Sequence, residues 1–108
     1  MKNTLVALAI LLCTVFATKA QYVTIPDANF AAWLNNNGFS QCMNGNQMDT
    51  TCNNIVGLLS LNLNNSNITN LDGVQYFDNL KALRCVGNHI TSINALPLQL
   101  GVLDVSNN

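Results

Sequence analysis

The sequence "LRCVGNHI", residues 83–90, repeats a pattern that is present on both sides of it in the chain. The sequence "LNLNNSNI" occupies residues 61–68 and "LDVSNN" occupies residues 103–108, so the three segments begin 22 and 20 residues apart. Together with the leucine three positions before each segment, the shared pattern is L-x-x-L-x-L-x-x-N-x-I, with Ser66 in place of Asn in the first copy. A recurrence at this spacing predicts one structural unit repeated along the chain.

Alternating apolar residues predict a short β-strand in each unit. Successive side chains of a strand point to opposite faces, so Leu61 and Leu63 are expected to point inward in the first unit. The residues expected to point outward there are Ser60, Asn62 and Asn64. Equivalent alternation predicts a strand at the start of the second and third units.

A polar residue follows each predicted strand at the ninth position of the unit. An Asn side chain has an acceptor and donors, so it can bond backbone groups of the turn and of the neighbouring coil that would otherwise be buried without partners. Asn88 and Asn108 fit this role, and Ser66 is a shorter substitute.

These units predict an α/β fold: a leucine-rich-repeat solenoid of short parallel strands with irregular return arcs, over residues 58–108. A small sandwich of alternating strands is the alternative. Because a solenoid needs about three or more units plus terminal caps, and the third unit has a strand without an arc, we expect about two and a half units of a longer array.

Two other segments precede the repeats. Residues 1–20 combine Lys2, an apolar run and small residues before Gln21, which predicts a signal peptide cleaved after Ala20 and therefore a secreted or cell-surface protein. A retained anchor, or a lipoprotein modified at Cys13, is the alternative.

Residues 21–57 are expected to form an N-terminal cap. Phe30, Trp33 and Leu34 form a short apolar stripe, which predicts a helix of about ten residues with Pro26 in its first turn and Asp27 placed to start it.

The cysteines favour one disulfide. Cys42 and Cys52 are close in the sequence of a chain that is predicted to be exported, so they are expected to pair. A metal site lacks further His or Cys ligands nearby, while Asn44, Asn46 and Asp49 leave a calcium loop as a weaker alternative. Cys85 occupies the inward strand position that Leu63 and Val105 occupy in the other two units. It is therefore expected to be buried and free.

Charge excludes some partners. After cleavage the chain keeps two basic and five acidic residues, a net charge of −3, so neither nucleic acid nor a membrane surface is expected to bind it.

The sequence gives little support for catalysis. His89 is the single histidine, it lies in a predicted turn, and no nucleophile or carboxylate is placed beside it by sequence. We therefore predict neither enzyme activity nor a cofactor.

Two phrases carry a family resemblance. The sequence "VTIPDANFAAWL" is similar to the opening of exported bacterial leucine-rich-repeat proteins, and "ITNLDGVQYFDNLKALRCVGNHITSI" resembles internalin-type repeats. Ser66 and the shorter second unit with Pro97 depart from that pattern. The resemblance implies a non-catalytic module for protein or glycan binding or adhesion. A structural or targeting segment of a longer secreted enzyme is the alternative, and the complete reading frame would distinguish the two.

The candidate binding site follows from the outward strand positions. On the concave face of a solenoid, side chains of neighbouring strands form one patch, and such faces bind ligands. The candidate residues are Asn62, Asn64, Arg84, Val86, Asp104 and Ser106. The alternative interpretation is that Arg84 and Asp104 only pair with each other on the surface.

Overall fold

The computed structural model describes residues 20–108. The predicted signal peptide lies outside the described residues, except for Ala20. Within the described part of the chain, no helix is long and apolar enough to cross a membrane.

The first half of the described chain contains a three-stranded antiparallel sheet. Its strands are β1 (Tyr22–Thr24), β2 (Met43–Asn44) and β3 (Gln47–Asp49), and β3 lies between the other two. Helix α1 (Ala28–Asn36) follows β1, and a 3₁₀ turn (Ser40–Cys42) leads into β2. The one-turn helix α2 (Asn53–Val56) follows β3.

The second half contains a three-stranded parallel sheet. Its strands are β4 (Ser60–Asn62), β5 (Ala82–Arg84) and β6 (Val102–Asp104), in that order. Leu61 pairs with Leu83, and Leu83 pairs with Leu103, so equivalent positions of the three sequence segments lie side by side. A 3₁₀ turn (Val74–Tyr76) lies on the connection from β4 to β5.

The predicted leucine-rich-repeat solenoid is wrong. The described residues form a small α/β domain of two three-stranded sheets, one antiparallel and one parallel, with α1 as the only helix longer than one turn among them. The period in the sequence reports strand spacing and register, which any parallel sheet with crossovers of about 20 residues can share. It carries no information about the antiparallel sheet, which occupies the other half of the domain and has no counterpart in the repeated pattern.

One apolar core joins the two halves. The inward positions predicted for the first two units are buried: Leu61, Leu63, Leu83 and Cys85 all lie in the core. Helix α1 contributes Phe30 and Leu34 to the same cluster, while Trp33 is partly buried and stacks on Phe39 with 6.0 Å between ring centroids. The domain therefore depends on burial shared between sheet and helix.

The carboxylate of Asp27 connects α1 to the connection after β4. Its Oδ1 accepts the backbone N–H groups of Asn29 and Phe30 at 2.9 and 3.0 Å, as expected for a helix N-cap. Its Oδ2 accepts the N–H and hydroxyl of Thr69, at 2.8 and 3.0 Å, and the N–H of Asn70 at 3.0 Å. One side chain therefore caps the helix and holds a loop 42 residues further along the chain.

The predicted start of α1 needs one correction. Pro26 lies before the N-cap instead of in the first turn, because Asp27 has an extended backbone (φ −83°, ψ 117°) and Ala28 is the first helical residue. The helix ends at Asn36, and Gly38 shortly after it has the positive φ of 92° that allows the chain to turn away.

The antiparallel sheet was missed by the sequence analysis. Its strands are two or three residues long and lack a clear apolar alternation, so they carry little periodic signal. One local signal was present: Gly45 and Asn46 form the two-residue connection between β2 and β3, and Gly45 has a φ of 62°. Gly-Asn between two short segments is a known hairpin indicator.

The predicted disulfide is confirmed. Cys42 and Cys52 are bonded, with 5.6 Å between their Cα atoms, and the bond joins the 3₁₀ turn before β2 to the residue that precedes α2. Cys85 is free and buried, also as predicted. Burial, with a smaller contribution from the negative charge of Asp104, raises the pKa of the Cys85 thiol to about 11.

We expect reduction of the disulfide to lower the free energy of unfolding by about 2 to 3 kcal/mol, because the bond closes a short loop in the unfolded chain. Urea titrations of the oxidised and reduced protein, with Cys85 present in both, measure the difference. Peptide mapping should join Cys42 to Cys52 and should find Cys85 unmodified without denaturant. A bridge that includes Cys85 would contradict the assignment.

We expect Asp27→Asn to lower the free energy of unfolding by about 2 to 4 kcal/mol at neutral pH. The amide oxygen of Asn can still cap the helix, but its NH₂ group cannot accept the hydrogen bonds that Oδ2 receives from Thr69 and Asn70, and the charge assistance is lost. The exposed Asp78, replaced by Asn, is the matched control and should change it by less than about 0.5 kcal/mol.

The effect of Asp27→Asn should depend on pH. Burial alone would raise the pKa of Asp27, but the hydrogen bonds from Thr69, Phe30 and Asn70 lower it below its usual value. A carboxyl with a lowered folded-state pKa stabilises the fold above its unfolded pKa of about 3.9, and this contribution is lost as the pH falls through the folded pKa. The difference from the wild type should therefore shrink below about pH 4. A difference that stays constant from neutral to acidic pH would show that the ionised carboxylate is not what stabilises the fold.

Candidate functional site

The outward side chains of the parallel sheet form one surface, which we call the sheet face. Strand pairing places Ala82 between Ser60 and Val102, and it places Arg84 between Asn62 and Asp104. Asn64, Val86 and Ser106 form a third row just beyond the ends of the three strands. The complete sheet face consists of Ser60, Asn62, Asn64, Ala82, Arg84, Val86, Val102, Asp104 and Ser106.

The six predicted site residues therefore lie on one face, as three adjacent pairs. They belong to a three-stranded sheet and not to the concave surface of a solenoid, so the predicted shape of the site is corrected together with the fold. Asn62, Arg84 and Ser106 are exposed, while the other three are half-buried.

The two asparagines of β4 and its extension are held by backbone groups. Asn62 Oδ1 accepts the N–H of Asn64 at 3.0 Å, and Asn64 Oδ1 accepts the N–H of Val86 at 2.8 Å. Both side-chain oxygens are therefore engaged within the domain. The NH₂ groups are the parts of these amides that can donate to a ligand.

Arg84 and Asp104 place opposite charges side by side. Asp104 Oδ1 accepts the hydroxyl and the N–H of Ser106 at 2.5 and 3.0 Å. These hydrogen bonds lower the pKa of Asp104, and the positive charge of Arg84 contributes in the same direction. Asp104 therefore remains ionised at neutral pH next to a guanidinium that can bind a carboxylate or carbonyl through two N–H groups.

Asn88 fixes the loops at the end of the sheet. It is buried, and its Oδ1 accepts the N–H groups of Ser66 and Ile68, each at 3.0 Å. Its Nδ2 donates to the carbonyls of Leu63 and Cys85 at 2.8 and 3.0 Å. These contacts confirm the predicted role of the ninth position in the turn.

Asn108 repeats the role of Asn88 one strand further along. Its Oδ1 accepts the N–H of Ile90 at 3.0 Å, and its Nδ2 donates to the carbonyl of Cys85 at 2.8 Å. Ser66, the substitute in the first unit, donates its hydroxyl to the carbonyl of Asn64 at 3.2 Å. The side chains of Asn88 and Asn108 thus each bond backbone groups of their own unit and of the preceding one.

Other polar residues considered from the sequence lie away from the sheet face. His89 is exposed in the turn after Asn88, and its backbone N–H donates to the carbonyl of Ile68. Asp49, part of the alternative calcium loop, accepts the N–H and hydroxyl of Thr51. Within residues 20–108, no group of three or more His, Cys, Asp or Glu side chains is arranged to hold a metal ion.

The structure also contains a pocket that the sequence did not indicate. An open pocket of about 350 Å³ lies between the end of α1 and α2. Its lining is uncharged and consists of Gly38, Phe39, Asn53, Asn54, Gly57 and Leu58. These residues have no shared period or motif, so no sequence signal could have grouped them.

Comparisons of this chain with protein-family models, with curated proteins and with solved structures found no match. The Cys42–Cys52 disulfide is typical of exported proteins, since such bonds persist in oxidising compartments.

We expect Asn88→Ala to lower the free energy of unfolding by about 2 to 4 kcal/mol, because it leaves buried N–H and C=O groups of the turn without partners. Asn94→Ala is the matched control, since Asn94 is exposed and bonds only the Asp72 carboxylate through its side chain. Urea unfolding of both variants measures the effect. Equal stability of the two would contradict a structural role for the buried amide.

Proposed function

We propose that this protein is a non-catalytic binding module, secreted or displayed at the cell surface, whose sheet face takes a protein or glycan ligand. The observation that supports the proposal best is the strand register, because it brings the outward side chains of three sequence segments into one patch. The disulfide supports export.

The chemistry of the sheet face suits a neutral or acidic polar ligand. Arg84 offers a planar set of N–H donors, and the NH₂ groups of Asn62 and Asn64 extend the donor row along β4. Val86 and Val102 add apolar surface beside these donors. Carbonyl, carboxylate and hydroxyl groups of peptides and sugars are the acceptors that match such a surface.

The net charge of −3 in residues 21–108 argues against nucleic acid as the ligand. A nucleic-acid ligand would require several Lys or Arg contacts to phosphates, and this segment has only Lys81 and Arg84. The proposed partner is therefore a protein or a glycan, and no cofactor is proposed.

A binding experiment tests the proposal. The purified domain is screened against immobilised glycans and against a displayed peptide library, and the dissociation constant of the best ligand is measured by calorimetry. Arg84→Glu should weaken binding roughly tenfold to hundredfold, since it removes charge-assisted hydrogen bonds worth about 1.5 to 3 kcal/mol.

Control variants lie on the turn and on the connection between β4 and β5. His89→Ala and Asp78→Lys should leave the dissociation constant unchanged, because both residues are exposed and lie away from the sheet face. Circular dichroism checks that each variant is folded. If the control variants abolish binding while Arg84→Glu has no effect, the site is not the sheet face.

A further inference from the structure

Gln21 is the first residue of the described chain whose backbone is hydrogen-bonded to the rest of the fold. Its N–H donates to Asp49 Oδ1 at 3.2 Å. Its carbonyl accepts the N–H and the hydroxyl of Thr50, at 2.8 and 3.0 Å. Strand β1 begins at the next residue, Tyr22, which pairs with Asp49 of β3. Both ends of the Gln21 backbone are therefore held at the end of β3.

The predicted signal-peptide cleavage falls immediately before this residue. The cleavage position follows from the composition of residues 1–20, whereas the position of Gln21 follows from its hydrogen bonds at the end of β3. Ala20 is exposed and has no hydrogen bond within residues 20–108. Cleavage after Ala20 therefore removes no described residue that the antiparallel sheet uses.

Cleavage changes the chemistry of the Gln21 nitrogen. Hydrolysis of the Ala20–Gln21 bond by a signal peptidase leaves a carboxylate on Ala20 and an amino group on Gln21. An α-amino group is mostly protonated at neutral pH, so a neutral N–H with one proton becomes a cation with three. The nitrogen that already donates to Asp49 thereby gains a positive charge and two further donors.

Asp49 is placed to accept this cation. Its Oδ1 accepts the N–H and the hydroxyl of Thr51 at 2.9 and 2.7 Å, and its Oδ2 has no hydrogen-bond partner within residues 20–108. The hydrogen bonds from Thr51, with a smaller contribution from Gln21, lower the pKa of Asp49, so the carboxylate is ionised at neutral pH. Strands β1, β2 and β3 carry no Lys or Arg that could compete for it. Their other titratable residue is Tyr22, and a tyrosine phenol is uncharged at neutral pH.

An N-terminal glutamine has a reaction of its own. Its unprotonated α-amino nitrogen can attack Cδ of the side-chain amide. A C–N bond then forms, the bond from Cδ to the side-chain nitrogen breaks, and that nitrogen leaves as ammonia with a proton from the α-amine. The product is the uncharged lactam pyroglutamate. Because the ammonium form has no lone pair for this attack, an ion pair that favours the ammonium slows the reaction.

We propose that removal of the signal peptide places the α-ammonium of Gln21 on the carboxylate of Asp49, and that this ion pair protects the mature N-terminus from cyclisation to pyroglutamate. The proposal rests on the export that is part of the proposed function, and it does not involve the sheet face. It gives the antiparallel sheet a role of its own, since the central strand β3 ends at the group that receives the processed N-terminus.

The exported protein provides the test. The full chain, with residues 1–20 in place, is expressed in a bacterium, and the exported product is purified. Intact mass and N-terminal peptide mapping should show a chain that begins at Gln21. The product is then incubated at several pH values, and mass spectrometry of its N-terminal peptide measures the loss of one ammonia with time.

The Asp49→Asn variant removes the charge and keeps a side chain of nearly the same shape. At about pH 7, below the usual α-amino pKa of about 7.7 to 8.0, it should lose ammonia about two- to fivefold faster than the wild type, the effect of one exposed ion pair on the fraction of unprotonated amine. The ratio should approach one above about pH 9, where the amine is unprotonated in both proteins. Asp78→Asn, at an exposed position between β4 and β5, is the matched control and should cyclise at the wild-type rate.

A free peptide with the sequence of residues 21–26 and an amidated C-terminus is a second reference, because it contains no carboxylate. It should cyclise faster than the wild-type protein at about pH 7, and the difference should shrink as the amine loses its proton. Circular dichroism checks that Asp49→Asn is folded. If it is not, the comparison with the peptide decides the test.

Three results would overturn the proposal. The first is an exported product that begins at a residue other than Gln21. The second is equal rates at about pH 7 in the wild type and in the reference without the charge. The third is a rate ratio that stays the same at every pH, which would show that the fold restrains the side chain without any effect of charge. A product that keeps residues 1–20 would contradict export as well, whereas the second and third results leave binding at the sheet face unaffected.

Discussion

The two oxygens of the Asp27 carboxylate connect parts of the chain that lie about 40 residues apart in the sequence. One oxygen completes the first turn of α1, and the other holds the backbone at Thr69 and Asn70, after β4. The same contacts therefore help to position α1 against the parallel sheet, where Phe30 and Leu34 share a core with residues of β4 and β5. A carboxylate is suited to the task because it accepts several hydrogen bonds at once and gains from charge in each.

Asparagine performs the corresponding task along the parallel sheet. The turn after each strand carries backbone groups into the interior, and water cannot reach them there. Asn88 satisfies groups of both its own unit and the preceding one, so each turn depends on the strand that follows it. Asn65, Asn67 and Asn107 also adopt positive φ, a conformation that Asn tolerates better than most residues. The abundance of Asn in a chain with so few charges therefore has a structural cause.

The sequence predicted local features well and long-range ones poorly. Alternating leucines located β4, β5 and β6, and the stripe of Phe30 and Leu34 located α1, because both signals repeat within a few residues. The candidate surface followed from the same alternation. The bond from Asp27 to Thr69 spans 42 residues and has no local signature, so nothing in the sequence indicated it. The solenoid prediction was wrong because strand spacing was taken as evidence for the architecture of the entire domain.

The buried thiol of Cys85 can report on the opening of the core through its reactivity. Cys85 lies in the core beneath the rung that joins β5 to β6, and its high pKa keeps the reactive thiolate scarce while the sheet is closed. An alkylating reagent can therefore reach it only when the core around it opens. The alkylation rate measures how often this core opens, without any added label, and the disulfide-bonded Cys42 and Cys52 do not interfere with the signal.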